Sequence, residues 1–107
     1  MAIEVSRGKI DSIIERIIAA LDQYQCDHPE AEISLYRQNS VSVRVRIIDA
    51  GYQGITRAHR SDLVWKYFEP LSEDDQSEIS SLILLAPDEA ERSFANFEFN
   101  NPVSSGL

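Results

Sequence analysis

The chain has 107 residues, of which 43% are hydrophobic, and a formal net charge of -8. This size and apolar content suffice for one compact core, so a single domain is expected. The negative charge argues against general binding to nucleic-acid phosphates, which depends on Lys and Arg. The apolar run at residues 82–86 is of strand length and no other run is longer, whereas about 20 residues are needed to cross a bilayer, so no membrane-spanning segment is expected.

Cysteine usage favours a reducing compartment. Cys26 is the only cysteine and cannot form an internal disulfide bond. No basic and then apolar leader opens the chain, so the cytoplasm is the expected location. Cys26 and His28 are too few ligands for a stable metal centre, and neither a metal nor a cofactor is expected.

The charges are unevenly distributed along the chain. Residues 37–66 carry six basic and two acidic groups, whereas residues 1–36 carry three and seven, and residues 67–107 carry one and nine. The cationic middle segment is compatible with two interpretations. Its charges either lie on a separate face that aids solubility, or they form a docking face for an acidic partner.

The first predicted element is an amphipathic helix over about residues 9–25. Apolar residues recur there at spacings of three and four, which is the period of one helix face: Ile10, Ile13, Ile14, Ile17, Ile18 and Leu21. Pro29 ends the helix, because proline disfavours helical backbone in the residue before it.

Two strands follow, over residues 32–37 and 41–48. In the second, apolar residues at 41, 43, 45 and 47 alternate with Ser42, Arg44 and Arg46, which predicts one buried and one solvated face. The polar segment 38–40 has the length of a hairpin loop, so the two strands are expected to pair antiparallel.

Two helices are predicted next, and then a third strand. Thr56 is a suitable N-cap for a helix that runs to about residue 68 and ends before Pro70. Ser72 and Asp75 resemble a capping box for a short helix to about residue 78. The apolar run at 81–85 reads as a buried strand, and its long connection to the second strand predicts a parallel crossover.

The C-terminal part is expected to contain one more helix. Pro87 and the acids after it are typical of a helix start, and this helix is predicted to reach about Phe94. Phe94, Phe97 and Phe99 are expected to pack back on the domain. The predicted fold is therefore α+β, a three-stranded mixed sheet covered by helices in the order α-β-β-α-α-β-α. The domain spans residues 1–99, and residues 100–107 form a flexible tail.

This order of elements resembles the BolA family, which has a type II KH-like arrangement. The turn at residues 48–54 is similar to the aspartate, aromatic and glycine turn of that family, and Arg60 and Val64 match its next helix. The strand that enters Pro87 is also similar. The resemblance implies a metal role only where the family's ligands are present. Here Ser61 replaces the ligand His, and the 38–40 loop has no Cys or His, so that role is not carried over.

The candidate partner-binding residues are arginines in two groups. Arg37, Arg44 and Arg46 lie on the hairpin, and Arg57 and Arg60 lie on the following helix. The favoured function is a non-enzymatic protein-interaction or regulatory module that presents one of these groups to a protein partner.

Two other function classes stay open. A nucleic-acid binder on a KH-like scaffold would use the GxxG pattern of residues 51–54, although a structural glycine turn is the simpler interpretation. An enzyme would need titratable groups that converge in a pocket, for example Asp49, His59 and Asp62.

Overall fold

A computed structural model describes residues 3–102 and contains both helices and strands, so the α+β class is confirmed. The strands are β1 (Ile3–Val5), β2 (Glu32–Asn39), β3 (Ser42–Ile48) and β4 (Ile79–Leu85). The helices are α1 (Ser12–Asp27), α2 (Arg57–Phe68), α3 (Glu73–Glu78), α4 (Pro87–Ala90) and α5 (Phe94–Asn100), and a 3₁₀ turn covers Ala50–Tyr52. Among these helices none has the length and hydropathy required to cross a membrane.

The strands form one mixed sheet in the order β1-β2-β3-β4. β2 and β3 pair antiparallel, and β4 runs parallel to β3, as the hairpin loop and the long crossover predict. The prediction of three strands is wrong, because β1 adds a fourth strand that pairs parallel to β2. β1 has only three residues, which is too short for an alternating pattern to be visible in the sequence.

The main core lies between the sheet and the helices α1 and α2. The alternate β3 residues Val43, Val45 and Ile47 are fully buried in it. α1 begins at Ser12 rather than near residue 9, because Asp11 caps it: Oδ1 of Asp11 accepts the Ile14 N–H at 2.9 Å. Ile10 therefore precedes the helix and is 55% exposed.

The opposite face of the sheet, called here the outer face, is also partly covered. Tyr36 on β2 is 1% exposed, and its ring centroid lies 4.7 Å from that of Phe99 on α5. The hydroxyl of Tyr36 donates to the Phe99 carbonyl oxygen at 2.9 Å. The expectation of a fully solvated outer face is therefore wrong, because α5 packs on it.

The prediction of one C-terminal helix from Pro87 to about Phe94 is wrong, because α4 ends at Ala90 and a second helix, α5, begins at Phe94. α5 runs to Asn100, so the predicted start of the flexible tail falls on a helical residue, and residues 103–107 lie outside the described part of the chain. Of the three phenylalanines expected to pack back, only Phe99 is buried. Phe94 and Phe97 are 76% and 63% exposed.

Candidate functional site

Arg44 and Arg46 lie on the same, outer face of β3. Their strand partners are Tyr36 and Ser34, and the intervening Val45 points into the core. Arg44 is half-buried: its Nε donates to Gln38 Oε1 at 2.9 Å, and its Nη1 donates to the Tyr36 hydroxyl at 3.2 Å. The predicted arginine pair of the hairpin is thus placed on one surface.

A third arginine, Arg7, reaches the same surface from the segment that follows β1. Its guanidinium carbon lies 5.3 Å from the centre of the Tyr36 ring, and its Nη2 donates to the Asn100 carbonyl oxygen at 3.1 Å. Sequence reasoning missed Arg7, because it lies in a short polar segment with no periodic pattern. We call Arg7, Arg44 and Arg46, gathered around the Tyr36–Phe99 pair, the outer arginine cluster.

Arg46 is held beneath α5 by neutral groups. Its Nη1 donates to the side-chain oxygens of Asn96 and Asn100 at 2.9 and 2.7 Å, and its Nη2 donates to Ser34 Oγ at 3.2 Å. The guanidinium lies 4.6 Å from the centre of the Phe99 ring, within the range of a cation–π interaction.

The charge of Arg46 is incompletely compensated. Its Nε is buried and has no hydrogen-bond partner among residues 3–102. Burial lowers the pKa of Arg46, and the more distant carboxylates of Glu32 and Glu4 only partly oppose this effect. A guanidinium still stays protonated in a protein, so the site keeps a full positive charge, with no close anion in the described part of the chain.

The other two members of the cluster are equally without a close anion. In the described part of the chain, no carboxylate oxygen lies within 4.0 Å of Arg7, Arg44 or Arg46. Acidic residues outnumber Lys and Arg by 18 to 10 in this protein, so partners are plentiful. Arg57 also has no ion pair within residues 3–102, but it is exposed to water, as Arg7 is, whereas Arg44 and Arg46 are half-buried.

Arg37, which the sequence groups with Arg44 and Arg46, belongs to the opposite side of β2. It pairs with the core-facing Val43 and forms ion pairs with Asp11 at 2.6 Å and with Glu78 at 2.8 Å. The hydrogen bond to Arg37 is also the main reason why the pKa of Asp11 is lowered. Arg37 is thus neutralised within the fold and is not carried into the proposed binding surface.

The helix arginines Arg57 and Arg60 have unlike environments. Arg57 is exposed at the first residue of α2, whereas Arg60 is only 4% exposed. All five N–H donors of Arg60 are used, by three backbone carbonyl oxygens and both carboxylate oxygens of Glu89. Arg60 is committed to the fold and has no donor left for a partner.

A second polar cluster lies at the end of β3. Tyr24 Oη is 2.9 Å from Asp49 Oδ2 and 2.7 Å from Tyr52 Oη, and these residues line a cavity of about 450 Å³ together with His28. Burial raises the pKa values of both tyrosines, so both hydroxyls are protonated at neutral pH. Because Tyr24 has one hydroxyl proton, a consistent arrangement is that Tyr52 donates to Tyr24 and Tyr24 donates to Asp49. This chain links α1 to the 3₁₀ turn and to its cap residue, which follows β3.

This arrangement does not unite the residues of the enzyme hypothesis. Asp49 is buried in the tyrosine chain, whereas His59 and Asp62 are exposed on α2 and do not line that cavity. Between residues 3 and 102 there is also no group of three or more His, Cys, Asp or Glu side chains placed to hold a metal ion.

The GxxG segment has a backbone explanation. Asp49 Oδ1 accepts the Gly51 N–H at 2.9 Å and caps the 3₁₀ turn. Gly54 has a φ of 77°, a conformation that side chains with a Cβ rarely adopt. Glycine at position 54 is therefore required by the turn that leads into α2.

Comparison with known proteins finds no matching family model, no matching curated protein and no matching solved structure. The BolA-like resemblance thus stays a prediction, and the function must be argued from the chain itself.

Proposed function

We propose that the protein is a non-enzymatic interaction module that binds an acidic segment of a partner protein through the outer arginine cluster. The observation that carries this proposal is the gathering of Arg7, Arg44 and Arg46 with no carboxylate of residues 3–102 within 4.0 Å, in a chain rich in acids. A partly buried guanidinium without an anion is unfavourable, and a carboxylate from a partner relieves that cost.

The geometry suits a short segment better than a broad surface. Arg44 and Arg46 are two residues apart on one strand, so their backbones are about 7 Å apart. Two carboxylates on neighbouring turns of a helix or on alternate residues of a strand have a comparable spacing. Glu4 and Glu32 lie on the same face of the sheet and would repel a large acidic surface, but not a narrow segment at Arg44.

Nucleic acid is the competing ligand, since the same guanidiniums attract phosphates. Recognition of single strands relies on bases that stack on open aromatic faces. The two rings at the cluster, Tyr36 and Phe99, are each 1% exposed and pack against one another with an angle of 51° between their planes, so neither ring offers a free face. The net charge of -8 adds general repulsion of phosphates.

Two further proposals accompany this function. The order α1-β2-β3-α2-α3-β4 supports a BolA-like, type II KH-like fold, to which β1 and α5 are additions. A cytoplasmic location is also proposed, supported by the use of a single cysteine, which is exposed and unpaired.

The test is a fluorescence-anisotropy titration with a short labelled peptide that is rich in Glu and contains one Phe. We expect saturable binding that weakens with added salt, and no binding of the same peptide with Lys in place of each Glu. Arg44→Glu should weaken binding at least about tenfold, since one charge-assisted hydrogen bond contributes about 1.5–3 kcal/mol.

The matched control is Arg57→Glu, which makes the same change of charge on an exposed residue of α2. It should leave binding within about twofold of the wild type. Equal losses of peptide affinity in the two variants would show that binding depends only on net charge and not on the outer arginine cluster. Tighter binding of single-stranded RNA than of the acidic peptide would favour the nucleic-acid alternative.

A further inference from the structure

α5 has an unusual distribution of apolar and charged contacts. Its phenylalanines Phe94 and Phe97 are 76% and 63% exposed, whereas the side that faces the sheet contacts the cation Arg46. Soluble domains normally bury large apolar side chains and expose charges. α5 buries Phe99, but it departs from this pattern by exposing its two other aromatic rings and covering a guanidinium that has no carboxylate partner within residues 3–102.

The side-chain oxygens of α5 that bind Arg46 lie where the carboxylates of an acidic ligand would lie, but they carry no charge. Asn96 Oδ1 and Asn100 Oδ1 both accept from Nη1 of Arg46, at 2.9 and 2.7 Å. An amide oxygen is a neutral acceptor, whereas a carboxylate adds a negative charge and can accept two parallel N–H bonds from a guanidinium. An acidic side chain at either place would therefore bind Arg46 better than the asparagine does.

The attachment of α5 to the sheet is otherwise modest. Beyond Arg46, the attachment within residues 3–102 consists of the buried Phe99 ring, tilted against Tyr36, and two hydrogen bonds, from Tyr36 to the Phe99 carbonyl and from Arg7 to the Asn100 carbonyl. α5 has seven residues, and helices this short depend on tertiary contacts for their stability. Elements with few buried contacts open at low free-energy cost.

We infer that α5 is an internal pseudo-ligand of the outer arginine cluster, displaced by a partner segment that carries carboxylates where α5 carries Asn96 and Asn100. This inference rests on the proposed function and specifies its partner. The pattern of α5 is Asn96, Phe99 and Asn100, so the preferred segment is helical and has an acid, two residues of any type, Phe and a second acid. Its Phe replaces Phe99 against Tyr36, and its acids pair with Arg46.

If α5 is a pseudo-ligand, a single substitution in the full chain should strengthen its attachment to Arg46. Asn100→Asp places a carboxylate of the same chain on Arg46 and should hold α5 more firmly against the sheet. The matched control is Asn101→Asp, which adds the same charge one residue later, where the side chain contacts the Phe97 carbonyl and not Arg46. Hydrogen exchange of the α5 backbone amides should slow in Asn100→Asp but not in Asn101→Asp.

Binding is measured with a labelled peptide of residues 93–102 that carries Asn96→Asp and Asn100→Asp. We expect at least about tenfold weaker binding to the Asn100→Asp protein than to the wild type. The Asn101→Asp protein should bind the peptide as the wild type does. Asn100→Ala removes one contact of the pseudo-ligand and should strengthen binding.

The outcomes separate this inference from the proposed function. If the Asn100→Asp and Asn101→Asp proteins bind the peptide equally, while Arg44→Glu still weakens binding, then α5 is a fixed part of the fold and the pseudo-ligand is overturned. If no protein binds the peptide, Asn100→Ala included, then both the pseudo-ligand and the proposed function are overturned.

Discussion

Arg60 and Glu89 form a bidentate ion pair that fastens α2 to α4. Arg60 Nη1 and Nη2 donate to the two carboxylate oxygens at 2.6 and 3.0 Å. The same guanidinium donates to the carbonyl oxygens of Ile55, Tyr52 and Leu84, the last of which lies on β4. One side chain thus satisfies acceptors from the glycine turn, the edge strand and the helix that follows it, which explains why an arginine is buried there.

Replacement of Arg60 should be strongly destabilising. Arg60→Ala leaves three backbone carbonyl oxygens and one carboxylate without their donor, so we expect a loss of about 3 kcal/mol or more in the free energy of unfolding. Urea denaturation followed by circular dichroism measures it. The control Arg57→Ala, on an exposed residue of the same helix, should stay within about 0.5 kcal/mol of the wild type. Similar midpoints for the two variants would contradict the assigned role of Arg60.

The Arg60–Glu89 pair also predicts acid sensitivity. The hydrogen bond from Arg60, followed by that from the Ala86 N–H, lowers the pKa of Glu89 from 4.5 to about 2. Because the folded pKa is below the unfolded one, this stabilisation is complete above the unfolded pKa and is lost as the pH falls toward 2. The pKa values of Asp11 and Asp75 are lowered in the same direction by Arg37 and Arg16.

Thermal melting between neutral pH and pH 2 tests this prediction. The melting temperature of the wild type should fall steadily below about pH 4.5, because each carboxylate must be protonated against its arginine. Glu89→Gln should melt lower at neutral pH and show a shallower decrease on acidification. Parallel curves for the wild type and this variant would mean that Glu89 does not contribute to the acid transition.

In the native state, three tyrosine hydroxyls should ionise only at a pH above the usual pKa of tyrosine. The hydrogen bond to Asp27, which Tyr67 Oη makes at 2.6 Å, and burial raise the pKa of Tyr67 to about 12. Burial raises the pKa values of Tyr24 and Tyr52 as well. A folded pKa above the unfolded one gives stability that is present below pH 10 and is lost as the pH rises toward 12.

A spectrophotometric titration of tyrosinate absorbance measures this effect. Tyr24, Tyr52 and Tyr67 should ionise late and together with unfolding, whereas the same chain in denaturant should titrate near pH 10. Tyr67→Phe removes one of these late groups and should reduce the amplitude of the late phase. Normal titration of all tyrosines in the folded protein would contradict the hydrogen-bonded, buried geometry.

The core faces provide a further prediction. Ile14 on α1 and Val45 on β3 are fully buried, so Ile14→Asp and Val45→Asp should each cost several kcal/mol and unfold the domain. Ile10→Asp is the matched control, since Ile10 is 55% exposed and lies before α1. Loss of the cooperative thermal transition in the first two variants, with its retention in the third, is the expected result. A cooperative transition in Ile14→Asp or Val45→Asp would show that its buried face is misassigned.

The elements that the sequence predicts correctly are those whose signals are local. The alternation at 43, 45 and 47 assigns β3 and its buried face, and Thr56 and Ser72 mark the starts of α2 and α3 because a cap acts within three residues of its own position. The outward direction of Arg44 and Arg46 follows from the same alternation. These features depend on backbone geometry, which neighbouring residues determine.

Only the tertiary structure decides which arginines gather on the outer face, because their partners are remote in the chain. Arg46 meets Asn100 across 54 positions, and Arg7 meets the same residue across 93. Arg37 and Arg46 are both arginines of the predicted hairpin, yet Arg37 pairs with Asp11 and Glu78, whereas Arg46 donates to two asparagines. The pairing of a side chain depends on which elements pack together, and packing is a property of the whole fold rather than of the local sequence.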